Sequence, residues 1–242
     1  MDKMKLLRTL MLGASILIGG VLLTSVHLEF TADADGTKHM IIDVYREKSG
    51  NDRRSVSDTS SINDPIVKIE QSNRKVEQAT QFFNQKQYAE TIRVATEAID
   101  LNPNNSMAYT FRGNGYAEMK DYAQAIKDYT RAIELDTNNA LAYYNRGLAY
   151  EHSFDHKSAV IDLTKAIELS PTSAEPYYNR GGAYLNMTEY AKSIEDNTRA
   201  IELNPNYAAA YYNRGVCRRL TGDPKAAQSD LDRAASFGFV KK

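Results

Sequence analysis

His152 and His156 stand four residues apart with Asp155 between them. On one helix that spacing could hold a metal ion. A break between helices is expected near Ser153-Phe154-Asp155, so the two histidines are read as surface or packing residues and no metal ligand is assigned. Cys217 is the single cysteine, which excludes an internal disulfide framework and a cysteine-based zinc site. No histidine stands near it to activate a thiolate. No glycine-rich phosphate loop or nucleophile elbow occurs. With 30 Lys+Arg against 31 Asp+Glu the chain carries no electrostatic footprint for nucleic acid. These residues predict no catalytic centre and no cofactor. The remaining chemistry is recognition. Asn145, Asn179 and Asn213 each follow a tyrosine: Tyr144, Tyr178 and Tyr212. An amide offers one acceptor and two donors, so it can bond the N–H and C=O of one peptide unit together. A tyrosine beside it adds rigid contact area.

The elements that position this file are repeats. Gly113, Gly147, Gly181 and Gly215 are spaced by 34 residues, as are Ala98, Ala132, Ala166, Ala200 and Ala234. Tyr-Tyr-Asn-Arg-Gly recurs at 143–147, 177–181 and 211–215, with a looser copy at Tyr109–Gly113. The frames are 72–105, 106–139, 140–173, 174–207 and 208–241, without insertion. Each reads as two helices; in 140–173 the first spans Leu141 to His152 and the second Lys157 to Leu169. Pro103, Pro171 and Pro205 close the second helix of their units, because proline disfavours helix in the residue before it. A 34-residue unit cannot bury its own apolar face, so the units must stack and share a core.

The spacing Tyr143-x2-Arg146-Gly147-x2-Tyr150, then Ala159-x3-Leu163 and Pro171, resembles the tetratricopeptide repeat (TPR). The resemblance covers 72–241. It implies an all-α, right-handed superhelical solenoid of five helix-turn-helix units whose first helices line a concave channel. Unit one departs, with Lys75, Gln78 and Ala79 where the others carry Tyr, Arg and Gly; unit five has Arg218 where Tyr116, Tyr150 and Tyr184 stand.

The glycines let paired helices approach closely. Arg112, Arg146, Arg180 and Arg214 recur with Asp128, Asp162, Asp196 and Asp230, each sixteen residues later. Unit one lacks both members, having Gln78 and Val94, which predicts a salt bridge within each unit. By the resemblance, Tyr144-Asn145, Tyr178-Asn179 and Tyr212-Asn213 face the channel, extended by Thr110, Phe111 and Asn114. The file is similar to the asparagine ladder in the TPR channel of O-linked N-acetylglucosamine transferase. The alternative is that these amides bond within the solenoid. A clamp for acidic C-termini would need cations where Thr110 and Glu175 stand, and is not expected.

Ahead of the repeats, Lys3, Lys5 and Arg8 precede an uncharged stretch, 9–28, rich in Leu, Ile and Val. Twenty helical residues span roughly 30 Å, a bilayer core. The stretch is read as a transmembrane signal-anchor, with a cleaved signal peptide as the alternative. The cations of residues 1–8 place the N-terminus in the cytoplasm and the repeats beyond the membrane, in a periplasm. Residues 29–71 are mostly polar and read as a flexible, disordered linker. His39–Tyr45 could form a strand but has no evident partner. The expected function is a membrane-tethered TPR adaptor that holds a protein or peptide partner in its groove. The alternatives are a module that self-assembles into a homo-oligomer through its uncapped last repeat, where Phe237 and Phe239 stand, and an organelle outer-membrane receptor with cytosolic repeats.

Overall fold

A computed structural model describes residues 65–239 with their side chains and, before them, the backbone of five strands. The chain divides into two compact units, residues 1–67 and 68–242.

In the first unit, β1 (Leu10–Leu12), β4 (Ser25–Ala32) and β5 (Lys38–Tyr45) form an antiparallel sheet in the order β1-β4-β5. A separate ladder joins β2 (Ile16–Ile18) to β3 (Val21–Leu23). Two expectations meet these strands, and the second is corrected. The described residues of 9–28 are strands and not a helix, and among the described residues no helix is long and apolar enough to cross a membrane. The strand expected near His39–Tyr45 has a partner: Leu28 pairs with Ile42 and Val26 with Val44. The physical reason is common to both. Ile16, Ile18, Val21, Val26, Ile41, Ile42 and Val44 are β-branched, which favours extended backbone, and antiparallel pairing satisfies main-chain groups without a membrane. The linker expectation for 29–71 is narrowed accordingly. Its ends are β4, β5 and a helix that starts at Pro65, while Ser49 to Asp64 lies outside the described residues.

The second unit is ten helices: α1 (Pro65–Asn84), α2 (Tyr88–Leu101), α3 (Ser106–Glu118), α4 (Tyr122–Leu135), α5 (Ala140–His152), α6 (His156–Leu169), α7 (Ala174–Asn186), α8 (Tyr190–Leu203), α9 (Ala208–Leu220) and α10 (Pro224–Ser236). From α2 onward each helix packs on the next. Helices α3, α5, α7 and α9 also touch one another in sequence, and the even-numbered helices make no comparable contact. The odd helices therefore form the tighter, inner layer.

Three devices repeat every 34 residues. First, the turn inside each unit carries a left-handed residue: Lys86, Lys120, Phe154, Thr188 and Gly222, with φ between 59° and 87°. Only the last is the residue type that adopts this backbone without steric cost. Second, the motif glycine meets the second helix. A Cβ on Gly113 would lie 2.7 Å from the Tyr129 ring, and one on Gly147 would lie 2.9 Å from Leu163 Cγ. Unit one solves the same approach with two small residues, Ala79 and Ala95, both fully buried. Third, in the first two copies, serine and asparagine tie helices together. Asn105 Nδ2 donates to Ser72 Oγ at 2.9 Å, and Asn139 Nδ2 to Ser106 Oγ at 2.9 Å. The same two asparagines cap α3 and α5, accepting from Ala108 N and Ala142 N.

Candidate functional site

Arginine and aspartate form the frame behind the inner layer. Arg112 grips Asp128 with two bonds of 2.8 and 2.7 Å, and Arg146–Asp162, Arg180–Asp196 and Arg214–Asp230 repeat the fork within their own units. A further guanidinium bond reaches back one unit: Arg146 to Thr130, Arg180 to Thr164 and Arg214 to Thr198. Each arginine also lies over the tyrosine that opens its motif, as Arg112 does over Tyr109 at 5.5 Å. The hydrogen bond to Asp196 raises the Arg180 pKa, and burial raises that of Asp196 against the pull of Arg180. These charges are consumed by the scaffold, which leaves the groove to other residues.

On the inner layer each motif asparagine spends a donor inside the array. Asn145 Nδ2 donates to Asn114 Oδ1 at 2.8 Å, and Asn179 Nδ2 donates to Tyr144 Oη and to the Glu175 carbonyl, both at 3.0 Å. Asn213 stands at the next copy of this position and favours the ionised form of the Tyr178 hydroxyl, against the larger effect of burial. The asparagines thus fasten each inner helix to the one before it. Thr110 corrects the expected groove. It is fully buried, and its Oγ1 donates to the Ser106 carbonyl and accepts from Asn139, so it offers a ligand nothing. Its short side chain turns onto its own helix, whereas Tyr144 and Tyr178 at the same repeat position reach outward. Asn114 is nearly buried, its Oδ1 accepting from Tyr129 Oη at 2.9 Å as well as from Asn145.

The tyrosines form a second file. Tyr178 packs on Tyr207 at a centroid distance of 4.8 Å, and Tyr212 on Phe239 at 4.7 Å. Burial raises the pKa of Tyr144, of Tyr178 and of Tyr207, where the charge of Glu175 adds to the effect at Tyr144 and Tyr207. All three hydroxyls therefore stay protonated at neutral pH. Phe237 packs on Tyr211 at 5.9 Å, so both C-terminal phenylalanines turn back onto α9.

An opening with a largely apolar lining lies between α1, α3, α4 and α5. It has a volume of about 510 Å³ and takes Phe83, Phe111, Tyr122, Leu148 and His152 into its wall, with Asn114 and Asn145 at its polar side. Phe83 and Phe111 meet edge to face at 6.5 Å. Leu141 continues this opening into a second, of about 300 Å³, bounded by Tyr144, Glu175 and Pro176. Sequence reasoning missed Phe83, Leu141, Leu148 and His152. Leu141, Asn145, Leu148 and His152 are spaced four, three and four apart, a single helical face, and that spacing was readable. Phe83 lies in the unit that departs from the motif and carried no signal.

His152 closes α5 and stacks on Tyr122 at 4.9 Å, while His156 opens α6 and meets Glu151 through Nδ1 at 2.8 Å. The two histidines have separate partners. Among the described residues no group of three His, Cys, Asp or Glu could hold a metal ion.

Comparison with known proteins gives a consistent family. Family models described as TPR repeat or tetratricopeptide repeat match residues 113–152, 140–173, 174–207 and 198–229. A comparison with curated proteins found no match. Among solved structures, the crystal structure of MamA protein is 25% identical, with a TM-score of 0.63 over 69% of this chain and 92% of that one. MamA 41-end from Desulfovibrio magneticus RS-1 is 20% identical, with a TM-score of 0.64 over 70% of this chain and 96% of the other. YrrB, described as a TPR protein with an unusual peptide-binding site, is 21% identical, with a TM-score of 0.60 over 72% and 92%. The 34-residue motif, the glycine approach, the odd-helix inner layer and these matches agree: the chain belongs to the tetratricopeptide-repeat family.

Proposed function

We propose that this protein is a scaffold that holds a segment of a partner protein along its inner helices, in the opening that runs from Phe83 to Pro176. The observation that carries this is the lining itself. Aromatic and aliphatic side chains converge there with amides that keep unused capacity: Asn145 has one Nδ2 hydrogen and its Oδ1 beyond the bond it makes to Asn114. Apolar walls with a few polar groups suit an extended or helical peptide. Asn179 has spent both Nδ2 hydrogens within the array and presents only its Oδ1, whereas Asn145 presents a hydrogen and its oxygen, so these amides serve the scaffold and a ligand together. Photocrosslinking from Phe111 and Leu148 in the full chain tests this, with Lys165 on α6, outside that lining, as the control. One partner captured from both inner positions and not from Lys165 is the expected result. Identical labelling from all three positions would overturn it.

The proposal includes a membrane tether. It rests on three cations followed by twenty residues without charge. In a bilayer a lone segment must satisfy its main chain internally, which favours helix over the paired strands it forms in water. The repeats then lie beyond the membrane, in a periplasm. Carbonate extraction of the full chain checks the tether: it should stay with the membrane, and deletion of 9–28 should release it. Release of the intact chain would overturn the tether alone.

A further inference from the structure

The outer face of the last unit differs from the same face of the unit before it, and the net charge of the lining shifts toward positive even though Asp232 stands where Thr198 was. In unit four an opening of about 480 Å³ is lined by two arginines, Arg180 and Arg199, against three carboxylates, Glu195, Asp196 and Glu202. In unit five the equivalent opening, of about 540 Å³, has three arginines, Arg214, Arg218 and Arg233, against two carboxylates, Asp230 and Asp232. Serines stand where two of the carboxylates were: Ser229 for Glu195 and Ser236 for Glu202.

Two of these differences alter how a cation is partnered. Arg131–Glu134, Lys165–Glu168 and Arg199–Glu202 are the same ion pair repeated, at 2.9, 2.9 and 2.8 Å. The fourth copy would pair Arg233 with residue 236, which is serine. Arg233 makes no ion pair among the described residues and lies over the Phe237 ring at 4.6 Å. Arg218 replaces the tyrosine of other units and donates to Asp230 Oδ2 at 2.8 Å. That carboxylate already holds Arg214 by both oxygens. One nearly buried carboxylate thus serves two guanidinium groups and neutralises one. Asp232 is engaged by Gln228 at 2.8 Å.

We infer that the cleft between α9 and α10 of the last unit binds an oxyanion, a phosphate or a carboxylate, through Arg218 and Arg233. A guanidinium fork fits either group with two parallel bonds. The site is independent of the inner groove: Arg214 lies two residues past Tyr212, about 200° around α9.

The test is a titration of the full chain in detergent with inorganic phosphate and, separately, acetate at matched ionic strength, followed by the NMR signals of the arginine Nε–H groups. Saturable shifts of Arg218 and Arg233 with either anion are expected, and the anion that produces them names the class. Ser236→Glu and Arg218→Tyr restore what unit four carries and should keep the melting temperature. Each should weaken binding about tenfold or more. No saturable shift with either anion, or equal binding by both variants, would overturn the assignment.

Discussion

In the third unit Leu163 faces Gly147 across the helix pair; in the fourth, Asn197 faces Gly181. The residue one turn earlier changes with it, from Ala159 to Ser193. Unit three is therefore closed by apolar contact. Unit four is closed by a polar cluster in which Asn197 Nδ2 donates to the Ser193 carbonyl at 2.8 Å, Ser193 Oγ donates to the Gly181 carbonyl at 2.7 Å, and the Cys217 thiol lies 3.2 Å from Ser193 Oγ. One atom of that cluster, Asn197 Oδ1, is buried without a hydrogen-bond partner. A buried unsatisfied acceptor costs about 1–3 kcal/mol. The comparison shows what the fold requires at this seat and what it tolerates. Across the five units the seat holds Ala95, Tyr129, Leu163, Asn197 and Leu231, while the helix path is kept by the small residue opposite and, in units two to five, by the Arg–Asp fork. Unit four keeps the geometry with a weaker interior.

The largest effect should come from making unit three resemble unit four. Leu163→Asn removes a fully buried leucine and leaves an amide in an apolar seat, so it should cost about 3 kcal/mol or more, read from the urea midpoint of the full chain. The reverse exchange, Ser193→Ala with Asn197→Leu, should gain about 1–3 kcal/mol by removing the orphaned acceptor. It also has a local readout. Burial raises the pKa of Cys217, so the thiol stays protonated and reacts only when its layer opens. Its labelling rate should fall in the double variant; an unchanged rate would show that the polar cluster does not govern opening. Smaller is the turn of unit four. Thr188 is β-branched and holds a φ of 61°, where unit five has Gly222. Thr188→Gly should stabilise by about 1 kcal/mol, seen as a raised melting temperature. The smallest contrast sits at two neighbouring glycines. A Cβ at Gly181 would lie 2.6 Å from Asn197 Nδ2, whereas one at Gly182 meets nothing within 4 Å. Gly182→Ala should therefore gain about 0.5–1 kcal/mol as a helix-propensity effect, and Gly181→Ala should destabilise.

Much of this unit's architecture could be read before any coordinates. Glycine, alanine, arginine and aspartate recur at one period, and each recurs because a repeated backbone imposes the same local demand at each copy. The helix break at Ser153–Asp155 matches the gap between His152 and His156 that separates α5 from α6. The groove was only partly legible. Phe111, Asn114 and Asn145 line the inner opening, whereas Thr110 occupies the same repeat position as Tyr144 and is fully buried. Position in a repeat specifies a face, and side-chain length decides whether the face is reached.

What the sequence determined by itself is the period, the two helices per unit and the pairing of each arginine with its own aspartate, because these depend on short-range spacing copied through the chain. Only the tertiary structure decided how the exceptions are spent. Asn145 looks the same as a free ligand-binding amide until Asn114 is found 2.8 Å away. Hydrogen-bonding capacity and charge balance are properties of neighbours in space, and residues 31 or more apart in the chain become neighbours only when the units stack.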